Sequence, residues 1–154
     1  MSDYIDPPGL RAPPIPLHQL LGLTFAPPSA DDATGVAEVN MPVRPEAYGS
    51  HGNLHGGAIA TMIDLASALA AVRASAFDLS TQSLVTTDMH VRYLGQPRTD
   101  TVTARAEVVR AGAQLIVVEA RVVDGGGHLI AVADLAMMIV PRRKPLAADR
   151  PAPS

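Results

Sequence analysis

The sequence predicts an α+β domain in which one long helix lies against a curved antiparallel sheet, and three observations predict it. Proline crowds the two ends: nine of the 14 fall at or before Pro45, four at or after Pro141, and only Pro97 lies between, so the regular structure belongs to the middle. A single alanine-rich run, free of proline, has helical character. After it come β-branched runs separated by short turns, the pattern of strands joined as hairpins.

In chain order, residues 1–16 form a proline-rich segment expected to lie extended over the surface. Residues 21–25 and 34–41 read as short strands. In the second, Val36, Glu38 and Asn40 alternate with Ala37, Val39 and Met41. A polar, glycine-bearing loop spans 42–53. The helical run lies within 54–77, where alanine, leucine and methionine favour a helix of about five turns. Four strands follow at 82–94, 101–110, 115–123 and 128–140. In the third of these, Val118, Ala120 and Val122 face inward and Glu119 and Arg121 outward. The folded domain is thus expected over 17–140, and 141–154 reads as a disordered tail without apolar periodicity. One helix among six strands has only the sheet to bury itself against. An edge as long as 82–94 is a liability if bare, and pairing with a second copy covers it, so a homodimer is expected.

With 154 residues, 47% hydrophobic and 18% charged, the chain has the makings of one ordinary core. A net charge of -3 with both signs interspersed gives no basic surface for nucleic acid. The absence of cysteine excludes disulfides, thiolate zinc sites and cysteine nucleophiles. Five prolines in the first twenty residues break any export signal, and Asp64 interrupts the apolar stretch 56–72 that a membrane span would need. The expectation is a cytoplasmic protein with no membrane partner.

The helix carries the chemistry. Gly57, Ala60, Thr61, Asp64, Ser67, Ala68 and Ala71 project within about 60° of one direction, while Ile59, Met62, Ala66 and Leu69 point the other way. A small-residue face around one carboxylate leaves room for a ligand or for a neighbouring backbone. At the helix start, His55, Gly56 and Gly57 present first-turn amides without intrahelical partners, able to polarise a carbonyl oxygen or simply to permit a tight loop. Asp64 lies eight residues beyond Gly56, about 12 Å along the axis, so one carbonyl cannot touch both in the same chain. If both serve one reaction, the carboxylate comes from a second subunit with an antiparallel helix.

The run 53–64, NLHGGAIATMID, followed by VTTDMHVRYL at 85–94, resembles the hotdog-fold acyl-coenzyme A thioesterases, nearest the branch of the phenylacetate-pathway thioesterase. The resemblance spans roughly 17–140. It implies a hotdog fold, a homodimer often paired into a homotetramer, no cofactor, and hydrolysis of an acyl-coenzyme A substrate at the subunit interface. By position, Asp64 is the implied general base or nucleophile, the Gly56 amide polarises the thioester carbonyl, His55 shapes the oxygen-binding end and Thr86 assists Asp64. Gly57, Ser50, His51 and Asn53 are expected at the substrate, and Arg92 and Arg110 at coenzyme A phosphates, which guanidinium groups suit. One departure stands out: Gly49 occupies the position fifteen residues before the carboxylate where family members commonly carry Asn or Gln. That departure keeps alive a noncatalytic acyl-coenzyme A-binding or regulatory hotdog module. A hotdog dehydratase needs a catalytic histidine in a different context from that of His55.

His51 and His55 have the spacing of two metal ligands, but no third is evident, so no metal is expected. Asp88, His90 and Arg92 are expected on one strand face with Thr86 as a charged ladder. His18 and His128 have no local partner and read as incidental, and Tyr48 either caps the pocket or joins the core.

Overall fold

The computed structural model describes residues 15–27, 29–30 and 34–142. Its elements are α1 (Pro16–Leu21), β1 (Thr24–Phe25), β2 (Val36–Pro42), two short 3-10 turns (Pro45–Ala47 and Ser50–Gly52), α2 (Gly56–Ala74), β3 (Gln82–Tyr93), β4 (Thr101–Ala111), β5 (Leu115–Asp124) and β6 (Leu129–Pro141). The six strands form one antiparallel sheet in the order β1-β2-β4-β5-β6-β3. The sheet curls around α2 as a half-barrel.

Period-two burial puts the inner face of the sheet under the helix. Val118, Ala120 and Val122 are buried and Glu119 and Arg121 exposed, as their alternation predicts. Ile59, Met62, Ile63, Ala66 and Leu69 of α2 meet Val39 and Met41 of β2, Val102 and Ala104 of β4 and Met137 of β6 in one apolar cluster. Each fully buried Ile or Met contributes ~1.5–3 kcal/mol of transfer free energy. Alanine on both layers, Ala66 and Ala70 on the helix and Ala104 and Ala106 on β4, lets the backbones approach closely. By length and composition α2 is apolar enough to cross a membrane; here it is the core helix of the sheet.

The first element departs from expectation. Residues 21–25 were expected as a strand, yet Leu21 ends α1 and only Thr24–Phe25 pair with β2. The cause is local. Pro16 opens the helix, and Gly22 at φ 67 closes it, with the Gly22 N–H on the Gln19 carbonyl and the Leu23 N–H on the His18 carbonyl. Arg44 Nη2 donates to the Leu20 carbonyl at 2.7 Å and satisfies another helix-end acceptor. The two expected terminal segments lie outside the described residues, apart from 15–16 and 141–142, of which Pro16 begins α1 and Pro141 ends β6.

The edge strand is where the long run placed it. Among the described residues β3 bonds only to β6, and its other edge is open. Thr87 forms a bulge, so the register passes from Thr86↔Met137 to Asp88↔Ala136. The extra residue reverses the alternation. Thr86, Met89 and Tyr93 face the helix side, opposite the buried Met137, Leu135 and Ala131, whereas Asp88, His90 and Arg92 face outward. The expectation that Thr86 shares a face with those three is therefore wrong, because one inserted residue shifts a period-two pattern by a full face.

Candidate active site

His55 is the N-cap of α2, in extended conformation, and its Nδ1 accepts the Gly57 N–H at 2.8 Å. With Nδ1 the acceptor, the ring proton sits on Nε2, which is left as a donor. The Ala58 and Ile59 N–H groups both donate to the His55 carbonyl, while the Gly56 N–H has no acceptor among the described residues. Glycine at 57 is required by the cap: a Cβ there would lie 2.9 Å from His55 Nδ1. Glycine at 56 lies against the Tyr93 ring, whose hydroxyl donates to the Gly56 carbonyl at 3.1 Å.

Two turns further along, Asp64 is half-buried, and Thr86 Oγ1 of β3 donates to its Oδ1 at 2.6 Å. The small-residue face is open around Asp64, with Gly57 exposed and Ala60, Thr61 and Ala68 half-buried, whereas Ser67 and Ala71 are fully buried toward the C-terminal half. Asp64 and Gly56 remain about 12 Å apart along one helix, as eight residues of rise demand. Each chain thus presents a carboxylate with its positioning hydroxyl and, separately, a donor pair at the helix tip.

The loop before the helix is folded onto it. The Gly49 N–H donates to the Asn53 carbonyl at 2.7 Å, the His55 N–H to the Ala47 carbonyl at 2.8 Å, and the Leu54 N–H to Gln96 Oε1 at 2.9 Å. Ser50, His51 and Asn53 are exposed in this loop, with His51 at φ 63, a backbone conformation uncommon outside glycine. Gly49 lies directly beside the imidazole: a Cβ would stand 3.3 Å from His55 Cδ2. The side chain of His55 therefore borders the space into which an Asn or Gln at 49 would extend. A groove of about 390 Å³ opens there, bordered by Leu17 and Leu20 of α1, Tyr48, His55, Gly57 and Thr61.

Two expected substrate contacts lie elsewhere in this chain. Arg92 is on the outer face of the sheet because of the bulge, and Arg110 is at the far end of β4, past Val108, which packs near Ala74 at the end of α2. His90 is 3.6 Å from Asp134 across strands, as expected of a charged ladder. Among the described residues no three His, Asp or Glu side chains gather as a metal site.

Three residues escaped sequence reasoning. Tyr93 and Gln96 brace the helix tip through contacts 37 and 42 residues away in sequence, which leave no local signal. His18 was read as incidental, but α1 buries half of it within the field of Asp64. Burial holds its imidazole below the usual histidine range, and the Asp64 charge opposes that shift in part. The signal available was Pro16 and Gly22 bracketing a six-residue helix.

The family model of the thioesterase superfamily matches residues 51–131, more than half of the chain and all of the site just described except α1 and the first loop residues. No curated protein matches. Among solved structures, a mutant thioesterase from Pseudomonas aeruginosa is similar at 25% identity and TM-score 0.72, covering 82% of this chain and 86% of its own. The Escherichia coli PaaI protein of the phenylacetic acid degradation operon is similar at 23% identity and TM-score 0.67, over 80% and 83% of the two chains. A hypothetical thioesterase from Streptococcus pneumoniae, solved with coenzyme A, is similar at 21% identity and TM-score 0.64, over 79% and 88%.

Proposed function

The chain belongs to the thioesterase superfamily, and from that premise we propose that it hydrolyses an acyl- or aryl-acyl-coenzyme A thioester to the free acid and coenzyme A, at a site shared by two copies of the chain. The observation that carries the reading is the separation of its two functional halves along α2, with Asp64 held by Thr86 at one station and an uncommitted Gly56 N–H at another. Antiparallel pairing of two helices brings the carboxylate of one to the tip of the other. The open edge of β3, with Val85, Met89 and Tyr93 exposed on it, supports that pairing. Coenzyme A in the Streptococcus pneumoniae neighbour supports the ligand class.

In this mechanism the Asp64 carboxylate takes a proton from water as the water oxygen bonds to the thioester carbonyl carbon. The carbonyl oxygen becomes an oxyanion held by the Gly56 N–H, with the positive end of α2 behind it. His55 Nε2–H is a second donor beside Gly49, in the place of the amide side chain that position 49 lacks. The tetrahedral intermediate then collapses, the C–S bond breaks, and the proton on Asp64 passes to the departing sulfur. Thr86 occupies Oδ1, which leaves Oδ2 for the water. A thioester is activated enough for this set to act without a Ser-His-Asp triad.

The test is release of coenzyme A by the wild type and by Asp64→Ala on a panel of short, long and aryl acyl thioesters. The proposal expects the variant to fold and bind but to lose roughly 10²–10⁴-fold in turnover, the range of general-base catalysis. Wild-type protein that retains acyl-coenzyme A unreacted on the whole panel establishes the binding module instead.

A further inference from the structure

Three large apolar side chains stay exposed around one concavity. Leu17 and Leu20 of α1 are 49% and 55% exposed, Tyr48 is 41% exposed, and all three border the groove of about 390 Å³ at the start of α2. Single exposed leucines are ordinary, but apolar side chains gathered around a cleft mark a place where something apolar is bound. The groove begins beside the helix tip. His55 and Gly57, on either side of the Gly56 N–H, line it, and Thr61 carries it one turn further, about 6 Å along the axis. Its floor offers little to a polar ligand, because the Gly57 N–H is on His55 Nδ1 and Thr61 Oγ1 donates to the Gly57 carbonyl at 2.7 Å. Among the described residues Glu46 is the only Asp, Glu, Lys or Arg that lines it. Arg44 fixes its width: Nη2 holds the Leu20 carbonyl at 2.7 Å and Nε faces Glu46 Oε2 at 3.5 Å, so one guanidinium ties the α1 rim to the loop rim.

We infer that this groove takes the acyl group of the thioester, that Leu17 and Leu20 of α1 set the acyl preference, and that the substrate class is an acyl group apolar to its far end. The inference rests on the hydrolase reading for the placement of the carbonyl. With its oxygen on the Gly56 N–H, the thioester has its acyl chain at the mouth of the groove. Each methylene laid against the leucines leaves water, which contributes roughly fourfold in kcat/KM as the chain lengthens. An acyl group that ends in a carboxylate is disfavoured. That charge loses hydration against leucine, meets the like charge of Glu46, and finds the nearby Arg44 already engaged by Leu20 and Glu46. The same groove gives Tyr48 its place, as a rim of the pocket rather than a part of the core.

The test is kcat/KM for wild type, Leu17→Asn and Leu20→Asn on straight-chain acyl-coenzyme A esters from acetyl to octanoyl, with glutaryl set against pentanoyl. Wild type is expected to gain roughly fourfold per methylene until the groove is full, and to use glutaryl at least about tenfold less well than pentanoyl. In each asparagine variant the octanoyl-to-acetyl ratio should fall by about tenfold, and Leu20→Met should restore it. A folding defect lowers all substrates alike and leaves that ratio unmoved. A ratio unchanged in both asparagine variants overturns the inference, as does glutaryl used as well as pentanoyl. So does a flat chain-length series in which the asparagine variants lose particle mass in sedimentation, since the groove is then a contact between copies. If wild type releases coenzyme A from none of the esters, the hydrolase reading has failed, and calorimetric Kd values for S-alkyl-coenzyme A thioethers from ethyl to octyl decide the groove by itself. Tightening with length that the asparagine variants lose upholds it, and a flat series overturns it.

Discussion

Replacing Thr86 by valine keeps the shape of the side chain and removes one hydrogen bond, the 2.6 Å donation from Oγ1 to Asp64 Oδ1. A hydrogen bond to a charged acceptor is worth about 1.5–3 kcal/mol, and both residues have access to solvent, which favours the low end. About 1.5 kcal/mol of lost positioning is roughly tenfold in kcat, with KM little changed, since the hydroxyl acts on the carboxylate rather than on the substrate. The assay is continuous coenzyme A release with a thiol-reactive chromophore, which meets no background because the chain contains no cysteine. Thr86→Ser retains the donor and is expected to recover most of the loss. Wild-type kcat in Thr86→Val, or an equal loss in the serine variant, refutes the role assigned to this bond.

Three further outcomes follow from single contacts. Ser67 is fully buried and its hydroxyl has no partner among the described residues, so Ser67→Ala is expected to stabilise the fold by about 1 kcal/mol, read as a higher melting temperature; a lower one contradicts the burial cost. His18 resists protonation when folded, because burial lowers it below 6.5, while the unfolded chain takes up a proton near that value. Stability is therefore present above about pH 6.5 and is lost as pH falls through the lower folded value, and His18→Gln should flatten that acid-side decline in a melting series. Gly57→Ala places a Cβ 2.9 Å from His55 Nδ1, displaces the ring and breaks the helix cap. It should cost about 1 kcal/mol of stability and at least tenfold in turnover, and a variant with both intact removes His55 from the oxygen-binding end.

Much of this architecture was legible because it rests on period. The alternation of Val118 to Val122 and the alanine-rich run around Asp64 each encode burial directly, and the length of 82–94 flagged an edge strand before any topology was known. The Asp64 and Gly56 separation was legible as well, since helix rise depends on residue count alone. What stayed hidden is non-local or depends on a single inserted residue. The bulge at Thr87 turned Arg92 away from the helix side, and nothing in the run Val85 to Arg92 announces it. Tyr93 and Gln96 reach the helix tip only through the tertiary fold. Helix α1 was missed although its proline and glycine brackets were present, because proline-rich surroundings outweighed a six-residue signal.

The shared site is tested most directly by subunit complementation. Gly56→Pro deletes the helix-tip N–H at the first helical position, where proline is best tolerated and where extended His55 suits it, while Asp64→Ala deletes the carboxylate. Each variant alone is expected to be inactive. After unfolding and refolding an equal mixture, about half of the dimers are hybrid and each regains one of two sites, so roughly a quarter of wild-type activity should return. A mixture that forms hybrids yet stays inactive contradicts a site built from two chains.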